Sequence, residues 1–430
     1  MALVPPAGLP DAQTVNEPHL ALDPAHPNVL LAVAQTRDVV GWRSEDGGRS
    51  WSASRPLAGK SGEGYGAGDP VVALGADGSA LLAAVAIDVE GRCTLINRVG
   101  AYRSADGGRS FAPLSTPSQA LPLPRRFFGL PPKPTCPIPP GLTHIPLNDK
   151  PWLAIDTTSS PHRGSAYMVW TLNDQFADGR TFPALLFAAS RDGGRTYRRP
   201  VVIAPRAKRP EALEQYPQVA VRPAGTVDLV WNDVRDGKTV VLHAASTDGG
   251  ARFGARETVA TIPSNVTPLG LTSSLAVSPT GRLAVCWAAS TKPKAYVPRV
   301  ACSLSSGDGK WSSPASPFAN GGLQYLPAAA FQGERLWVAA YRSTAETTRV
   351  LLASSDDGVT FGPPVVLADR PYGRSVVCAP HPPDCGRRQR FVGDYIGAVA
   401  AEGRVWVDFV LPAGKATSPN RVFVATLSTG

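Results

Sequence analysis

The sequence predicts an all-β chain folded as a single β-propeller, a ring of four-stranded antiparallel blades. Three observations carry this. A Ser-x-Asp-x-Gly octet ending in an aromatic residue recurs at 44–51, 104–111, 190–197, 246–253 and 354–361, with a shortened copy at 305–311. Short apolar runs of strand length precede and follow each copy. The chain also carries 42 Gly and 43 Pro among 430 residues, a breaker content that suits many short strands joined by turns. A single Asp-Gly turn would mean little, because it is common turn chemistry. Recurrence at blade-length spacing marks a repeat architecture.

The first unit shows the pattern. Residues 19–22, 29–34 and 39–43 read as three strands, Asp46-Gly47-Gly48 as a turn, and Trp51 as the start of an outer strand. Four strands of this kind make one blade. Later inner strands begin at Asp69, Lys150, Tyr216, Ser273, Tyr325 and Asp394. Second strands align at 167–170, 228–231, 284–287, 336–339 and 405–408, each containing Trp. Seven inner units therefore stand against six turns. The last unit ends at 422–427 without an outer strand, and residues 2–9 are expected to supply it and close the ring. Seven blades are favoured; six is the alternative. In the turns, Asp supplies a side-chain bond to the backbone, Gly takes positive φ, and the aromatic fills a wedge between sheets. No catalytic role is expected there.

The whole chain, residues 1–430, reads as one domain. Two segments break its rhythm, a Pro-rich insertion at about 112–148 and an Arg-rich one at about 369–390. Both join an outer strand to the next inner strand and so emerge on the face opposite the Asp turns. The six cysteines allow fifteen pairings. Cys286 and Cys302 fall on neighbouring strands, where a bridge is feasible. Cys93 with Cys136 would pin the first insertion, and Cys378 with Cys385 would close a small loop. No Cys/His spacing suits zinc, so disulfides and an oxidising compartment are expected.

The formal net charge is +9. No Lys/Arg run with interleaved aromatics appears, which argues against a nucleic-acid partner. No apolar stretch is long enough for a membrane span. Residues 1–6 read as neither a leader nor an anchor, so an exported protein would have lost its leader. A secreted or otherwise extracytoplasmic monomer is expected.

Residues just before the inner strands converge at the mouth of the central channel. Candidate catalytic groups there are Glu17, Asp69, Asp149, Glu214, Tyr216, Asp394 and Tyr395. Carboxyls facing one another raise some pKa values and provide an acid/base pair. Candidate substrate-binding groups are Arg37, Arg235, Tyr325 and Arg342, the arginines forming an anion clamp. Each residue has a plainer reading as a loop cap or a local salt bridge; their clustering is the signal. No cofactor is expected. A structural cation held by Asp69, Asp149 and Asp394 is conceivable, although no loop has calcium-site spacing. No His pair has metal spacing, and no nucleophile elbow is present.

The octets resemble the Asp boxes, or BNR repeats, of the sialidase superfamily, and the resemblance spans essentially the whole chain. Asn16-Glu17-Pro18-His19, Asp149-Lys150-Pro151-Trp152 and Gly393-Asp394-Tyr395-Ile396-Gly397 are similar to secreted bacterial sialidase-like proteins of this kind. The resemblance implies a propeller whose Asp boxes are structural and whose site lies on the opposite face. Sialidases use an arginine triad, an Asp acid/base and a Tyr nucleophile with a Glu partner. Here Glu17-Pro18-His19 stands where the first arginine's Arg-Ile-Pro motif would be, so strict sialidase activity is not expected. The expected function is a glycan-acting propeller, a glycoside hydrolase with its site at the channel mouth. The alternative is a non-catalytic propeller that binds a glycan or a protein with the same face.

Overall fold

A computed structural model describes residues 3–4, 15–36, 38–54, 67–90, 94–114, 117–119, 121–124, 144–176, 181–205, 213–235, 238–262, 273–292, 295–319, 321–371, 377–378, 390–414 and 418–429. These residues form strands and turns, with no helix among them. Seven antiparallel blades stand in a ring. Blade 1 comprises β2 (Asn16–Leu22), β3 (Leu30–Gln35), β4 (Val39–Ser44) and β5 (Ser52–Ser54). Blade 2 comprises β6 (Ala67–Leu74), β7 (Ala80–Glu90) and β8 (Thr94–Ser104), its outer position shared by β9 (Ala112–Pro113) and β10 (Leu121–Pro124). Blade 3 runs through β11 (His144–Ile155), β12 (Ala166–Phe176), β13 (Thr181–Ser190) and β14 (Val201–Ala204). Blade 4 runs through β15 (Leu213–Val221), β16 (Val227–Arg235), β17 (Lys238–Ser246) and β18 (Glu257–Ile262).

Blade 5 has three strands, β19 (Ser273–Val277), β20 (Leu283–Lys292) and β21 (Ala295–Ser305), and a single bridge from Cys302 to Ala315 takes the outer position. Blade 6 comprises β22 (Leu323–Gln332), β23 (Arg335–Ser343), β24 (Thr348–Ser355) and β25 (Val365–Arg370). A two-residue parallel pair follows, β26 (Val377–Cys378) with β27 (Arg390–Phe391). Blade 7 closes the ring with β28 (Gly397–Ala401), β29 (Arg404–Pro412), β30 (Asn420–Ser428) and, as outer strand, β1 (Leu3–Val4). Leu3 pairs with Ala425 and Val4 with Val424, so the chain start covers the edge that its end would expose.

The core lies between blades. The second strands carry the tryptophans Trp170, Trp231, Trp287, Trp337 and Trp406, all buried. Burial of an indole stabilises by about 4–6 kcal/mol as an upper figure. Trp406 also donates from Nε1 to the Gly47 carbonyl at 2.8 Å, tying blade 7 to the first Asp turn.

The recurrent turns behave as local devices. In the first, Ser44 Oγ donates to Asp46 Oδ1 at 2.8 Å and accepts from Gly48 N at 2.8 Å. Asp46 accepts from the Arg49 and Ser50 amides, at 2.9 Å each. The same bonds recur at Ser104/Asp106, Ser190/Asp192 and Ser246/Asp248. In the copy at 354–361 the Ser and Asp stand one residue later than in the sequence alignment while Gly358 keeps its place, so this turn is one residue shorter. Ser355 bonds Asp357 at 2.8 Å, and Gly358 bonds back to Ser355. A Ser-Ser-Asp-Asp run reads equally well in both registers, and the strand end at Ser355 selects the second.

The predicted bridge between Cys286 and Cys302 is present on paired strands β20 and β21. Cys93, Cys136 and Cys385 lie outside the described residues, as does most of both insertions. No helix among the described residues is long and apolar enough to cross a membrane.

Candidate functional site

Strand direction separates the two ends of each blade. Each inner strand starts at one end of the channel, and the Asp turns close the third strand at the other. Near its start the inner strand of five blades carries a register shift, between Asn16 and His19, Gly68 and Val71, Asp149 and Trp152, Gln215 and Gln218, and Tyr325 and Ala328. At each shift one residue takes positive φ: Glu17 at 51°, Asp69 at 50°, Lys150 at 49°, Tyr216 at 56° and Leu326 at 51°. Such bulges re-aim a side chain out of the sheet alternation. A left-handed conformation costs a non-glycine residue about 1–2 kcal/mol. Every one of the five is followed by Pro: Pro18, Pro70, Pro151, Pro217 and Pro327. A proline has no N–H to give to the ladder, so the break is written into the sequence.

The bulges bring four of these side chains together. Lys150 is the hub. Its ammonium lies 2.8 Å from Asp69 Oδ1, 2.7 Å from Asp394 Oδ2 and 3.8 Å from Glu17 Oε1. It also stands 5.3 Å from the ring centroid of Tyr395 and 5.5 Å from that of Tyr216. Burial alone would lower its pKa, but Asp394, Asp69 and Glu17 outweigh that and hold it well above the ordinary lysine value. The cation joins blades 1, 2 and 3 to the segment entering blade 7.

The carboxyls around it differ. Glu17 is buried and accepts from the Asp394 amide at 2.9 Å. Burial pushes it well above the usual carboxylate range, against the pull of Lys150. Asp149 is partly exposed, and its side chain makes a hydrogen bond with that of Asp69. Burial, with Asp69 and Asp394 adding to it against Lys150, pushes Asp149 up to about 7. Asn173 donates to Asp149 Oδ2 at 3.2 Å, and Asp149 Oδ1 accepts the Lys150 amide at 3.0 Å. Two carboxyls in hydrogen-bond contact share a proton more readily than they ionise together.

Buried bonds hold this group in place. Asn148 takes the Trp170 indole N–H on Oδ1 at 3.0 Å, and its amide donates to Asn97 Oδ1 at 2.7 Å, locking blade 3 to blade 2 one residue before Asp149. The Asp69 amide donates to Gln35 Oε1 of blade 1 at 3.2 Å. Gly393 packs so closely on the Glu17 backbone that a Cβ there would lie 2.3 Å from Glu17 N.

Aromatic rings flank the carboxyls. His19 meets Trp152 edge-on at 4.9 Å, and Trp152 meets Tyr395 at 5.7 Å. Burial lowers His19 to about 4, so it is neutral at pH 7. Burial also raises the Tyr216 and Tyr395 phenols well above 10, keeping both protonated. Among the described residues the buried Tyr395 hydroxyl has no hydrogen-bond partner. Asp149, Lys150, Trp152, His19 and Tyr216 are partly exposed, so the group opens through them.

Of the residues expected from sequence, Glu17, Asp69, Asp149, Tyr216, Asp394 and Tyr395 thus meet around one cation. Glu214 pairs in register with Asp233, and Arg235 ends β16 opposite Lys238; their side chains and the whole of Arg37 lie outside the described residues. Arg342 stands on β23 in register with Gln324 and Arg349. Tyr325 does not join the group. It is buried in the core, its hydroxyl 2.7 Å from Ser343 Oγ and its ring stacked on Tyr341. The bulge re-aims the next residue, Leu326, which is also buried. Lys150 and His19 read from the sequence as lying near the channel mouth but carry no catalytic or binding role there, Trp152 is not singled out, and the X-Pro step at 150–151 is the signal for the role of the first. Among the described residues no cluster of His, Cys, Asp and Glu has the arrangement to hold a metal ion.

No family model matches the chain, and no curated protein matches it in sequence. Solved structures do match. An ulvan lyase, a polysaccharide lyase, superposes with a TM-score of 0.57 at 11% identity over 97% of this chain and 94% of its own. This chain is a seven-bladed β-propeller. Two other matches are an α-L-arabinanase from Penicillium chrysogenum (TM-score 0.47, 14% identity, 82% and 90% covered) and a protein of unknown function from Dyadobacter fermentans (0.48, 17%, 78% and 92%). At such identities the likeness is one of fold.

Proposed function

We propose that this propeller acts on glycans outside the cytoplasm, as a sialidase-like glycoside hydrolase with its site at the channel mouth around Lys150. The observation that carries the reading is the carboxyl of Asp149, partly exposed, hydrogen-bonded to a second carboxyl and held at about 7. A group at that value is half protonated at neutral pH, the condition for general acid catalysis on a glycosidic oxygen. Asp149 would give its proton to the leaving oxygen. As the glycosidic bond breaks, water would add to the anomeric carbon, and the proton it loses would pass to Asp69 and back to Asp149 through the hydrogen bond the two share. The neutral Tyr395 hydroxyl would donate to a sugar oxygen, and Trp152 would lie against a sugar face. The recurrent Ser/Asp turns and the disulfide support the sialidase-like, exported reading.

A second reading rests on Lys150 itself. Its ammonium occupies both Asp69 and Asp394, which suits a locked, non-catalytic mouth that binds a glycan without cleaving it. A panel of fluorogenic sialosides and neutral and acidic glycosides separates the two. Turnover that falls by about 10²–10⁴-fold in Asp149→Asn, with the melting curve retained, supports hydrolysis. Glycan binding with no turnover of any substrate selects the second reading.

A further inference from the structure

We propose that His19 is a further ligand-binding residue of this site, a neutral imidazole whose Nε2–H donates to a sugar oxygen beside Trp152; the proposal rests on the glycan-acting reading above.

One bond fixes the tautomer. The Val72 amide of blade 2 donates to His19 Nδ1 at 3.3 Å. An amide N–H only donates, so Nδ1 carries no proton, the ring is neutral and its hydrogen sits on Nε2. Burial acts in the same direction and lowers His19 to about 4.

The structural task of this residue needs only one acceptor. In blade 4, Gln218 Oε1 takes the Leu275 amide of blade 5 at 2.7 Å. In blade 5, Ser274 Oγ takes the Ala329 amide of blade 6 at 2.9 Å. Gln218 stands two residues after its bulge residue Tyr216, as His19 does after Glu17. Ser274 pairs with Cys286, one residue before Trp287, just as Gln218 pairs with Val230, one before Trp231. All three side chains therefore tie one inner strand to the next. Gln218 and Ser274 are buried, whereas His19 is partly exposed. The imidazole makes the tie with one nitrogen and keeps a second, protonated one. Among the described residues that Nε2 has no hydrogen-bond partner.

A second observation points to a ligand. The Tyr395 hydroxyl is buried and, among the described residues, also lacks a partner. Burying an unpaired hydroxyl is unfavourable, and a ligand oxygen reaching it removes that penalty. Trp152 touches both rings, His19 at 4.9 Å and Tyr395 at 5.7 Å between centroids. One indole thus spaces the two donors, within reach of a single disaccharide. Sugar hydroxyl, ring and glycosidic oxygens are the acceptors such donors need.

The test joins binding to NMR. An array of neutral, amino-bearing and acidic oligosaccharides identifies the strongest binder, which is titrated at pH 7 into protein carrying isotope-labelled histidine. The pair of ring-nitrogen signals missing in His19→Ser belongs to His19. The free protein should show a protonated Nε2 and a bare Nδ1, and the bound oligosaccharide should move the Nε2 signal. His19→Ser supplies the acceptor that blade 5 uses, so it should melt near the parent while affinity falls roughly fivefold to tenfold, the loss of one hydrogen bond. A proton on Nδ1, or an Nε2 signal unmoved by the oligosaccharide, overturns the inference whether or not the variant folds. Unchanged affinity in folded His19→Ser overturns it as well. Each of these results leaves the glycan-acting reading standing, and an array silent in every class overturns both.

Discussion

Replacing Lys150 by Met is the most informative perturbation of this fold. Met keeps the apolar stem and removes the charge. The ammonium is nearly buried, its side chain 11% exposed, and is bonded to Asp69 and Asp394 with Glu17 at 3.8 Å. Removing one partner of a buried ion pair costs about 3–5 kcal/mol, because the remaining charges keep their desolvation penalty. With an unfolding entropy of roughly 2 cal/mol/K per residue over 430 residues, ~4 kcal/mol lowers Tm by about 4–5 °C. The loss should depend on pH. Without the cation the carboxyls hold their protons more tightly when folded, so the penalty grows as pH rises above their unfolded values near ~4. Chemical and thermal denaturation of Lys150→Met and the parent at pH 5 and pH 8 measures it. A loss below about 1 kcal/mol at pH 8, or an equal loss at both pH values, would refute the hub role.

Other consequences can be measured on the same preparations. Burial works against ionisation of Asp46, Asp106 and Asp192, but their turn hydrogen bonds bring each down to about 2. Their stabilisation is present above the unfolded value near ~4 and is lost as pH falls through about 2. Burial raises Asp149 and Asp408 to about 7, so their contribution runs the other way and is lost as pH climbs from ~4 through 7. Tm is accordingly expected to be higher at pH 5 than at either pH 2.5 or pH 8; a rise from pH 5 to pH 8 contradicts the raised carboxyls. The Cys286–Cys302 bridge closes a loop of sequence separation 16, which corresponds to about 3 kcal/mol of unfolded-state entropy. The double Ala variant should lose that much in urea titration, and an unchanged midpoint rules the contribution out. Glu402 and Gly403 form the two-residue turn between β28 and β29 at φ 44° and 72°. Glu402→Asn should stabilise by about 0.5–1 kcal/mol, since Asn accepts left-handed φ more readily; a lower Tm counts against strain at this position.

The legible and the hidden parts of the site divide along sequence separation. Glu17, Asp69, Asp149, Asp394 and Tyr395 could be proposed because each stands before or beside the inner strand of a repeat unit. Lys150 occupies the equivalent place, yet its partners lie 81 and 244 residues away, and no local pattern announces that they share one ammonium. Tyr325 failed for a related reason. One residue of bulge decides which of two neighbours takes the left-handed conformation, and there it is Leu326, while Tyr325 stays in the core. The proline after each bulge residue marks that choice in the sequence, once the register shifts show what it means.

By itself the sequence determined the blade repeat and favoured seven blades over six, which the closed ring decided. Those features rest on bonds between residues two to four apart, such as Ser44 with Asp46 and Gly48, and on apolar alternation along single strands. Only the tertiary structure decided the chemistry of the mouth. Closing the ring through β1 and β30 draws Glu17 and Asp394, 377 residues apart, into one hydrogen bond. There, burial and mutual repulsion set a proton on Asp149 that solvent would have removed. Side-chain identity supplies the carboxyl; its protonation belongs to the neighbours and to the water they exclude.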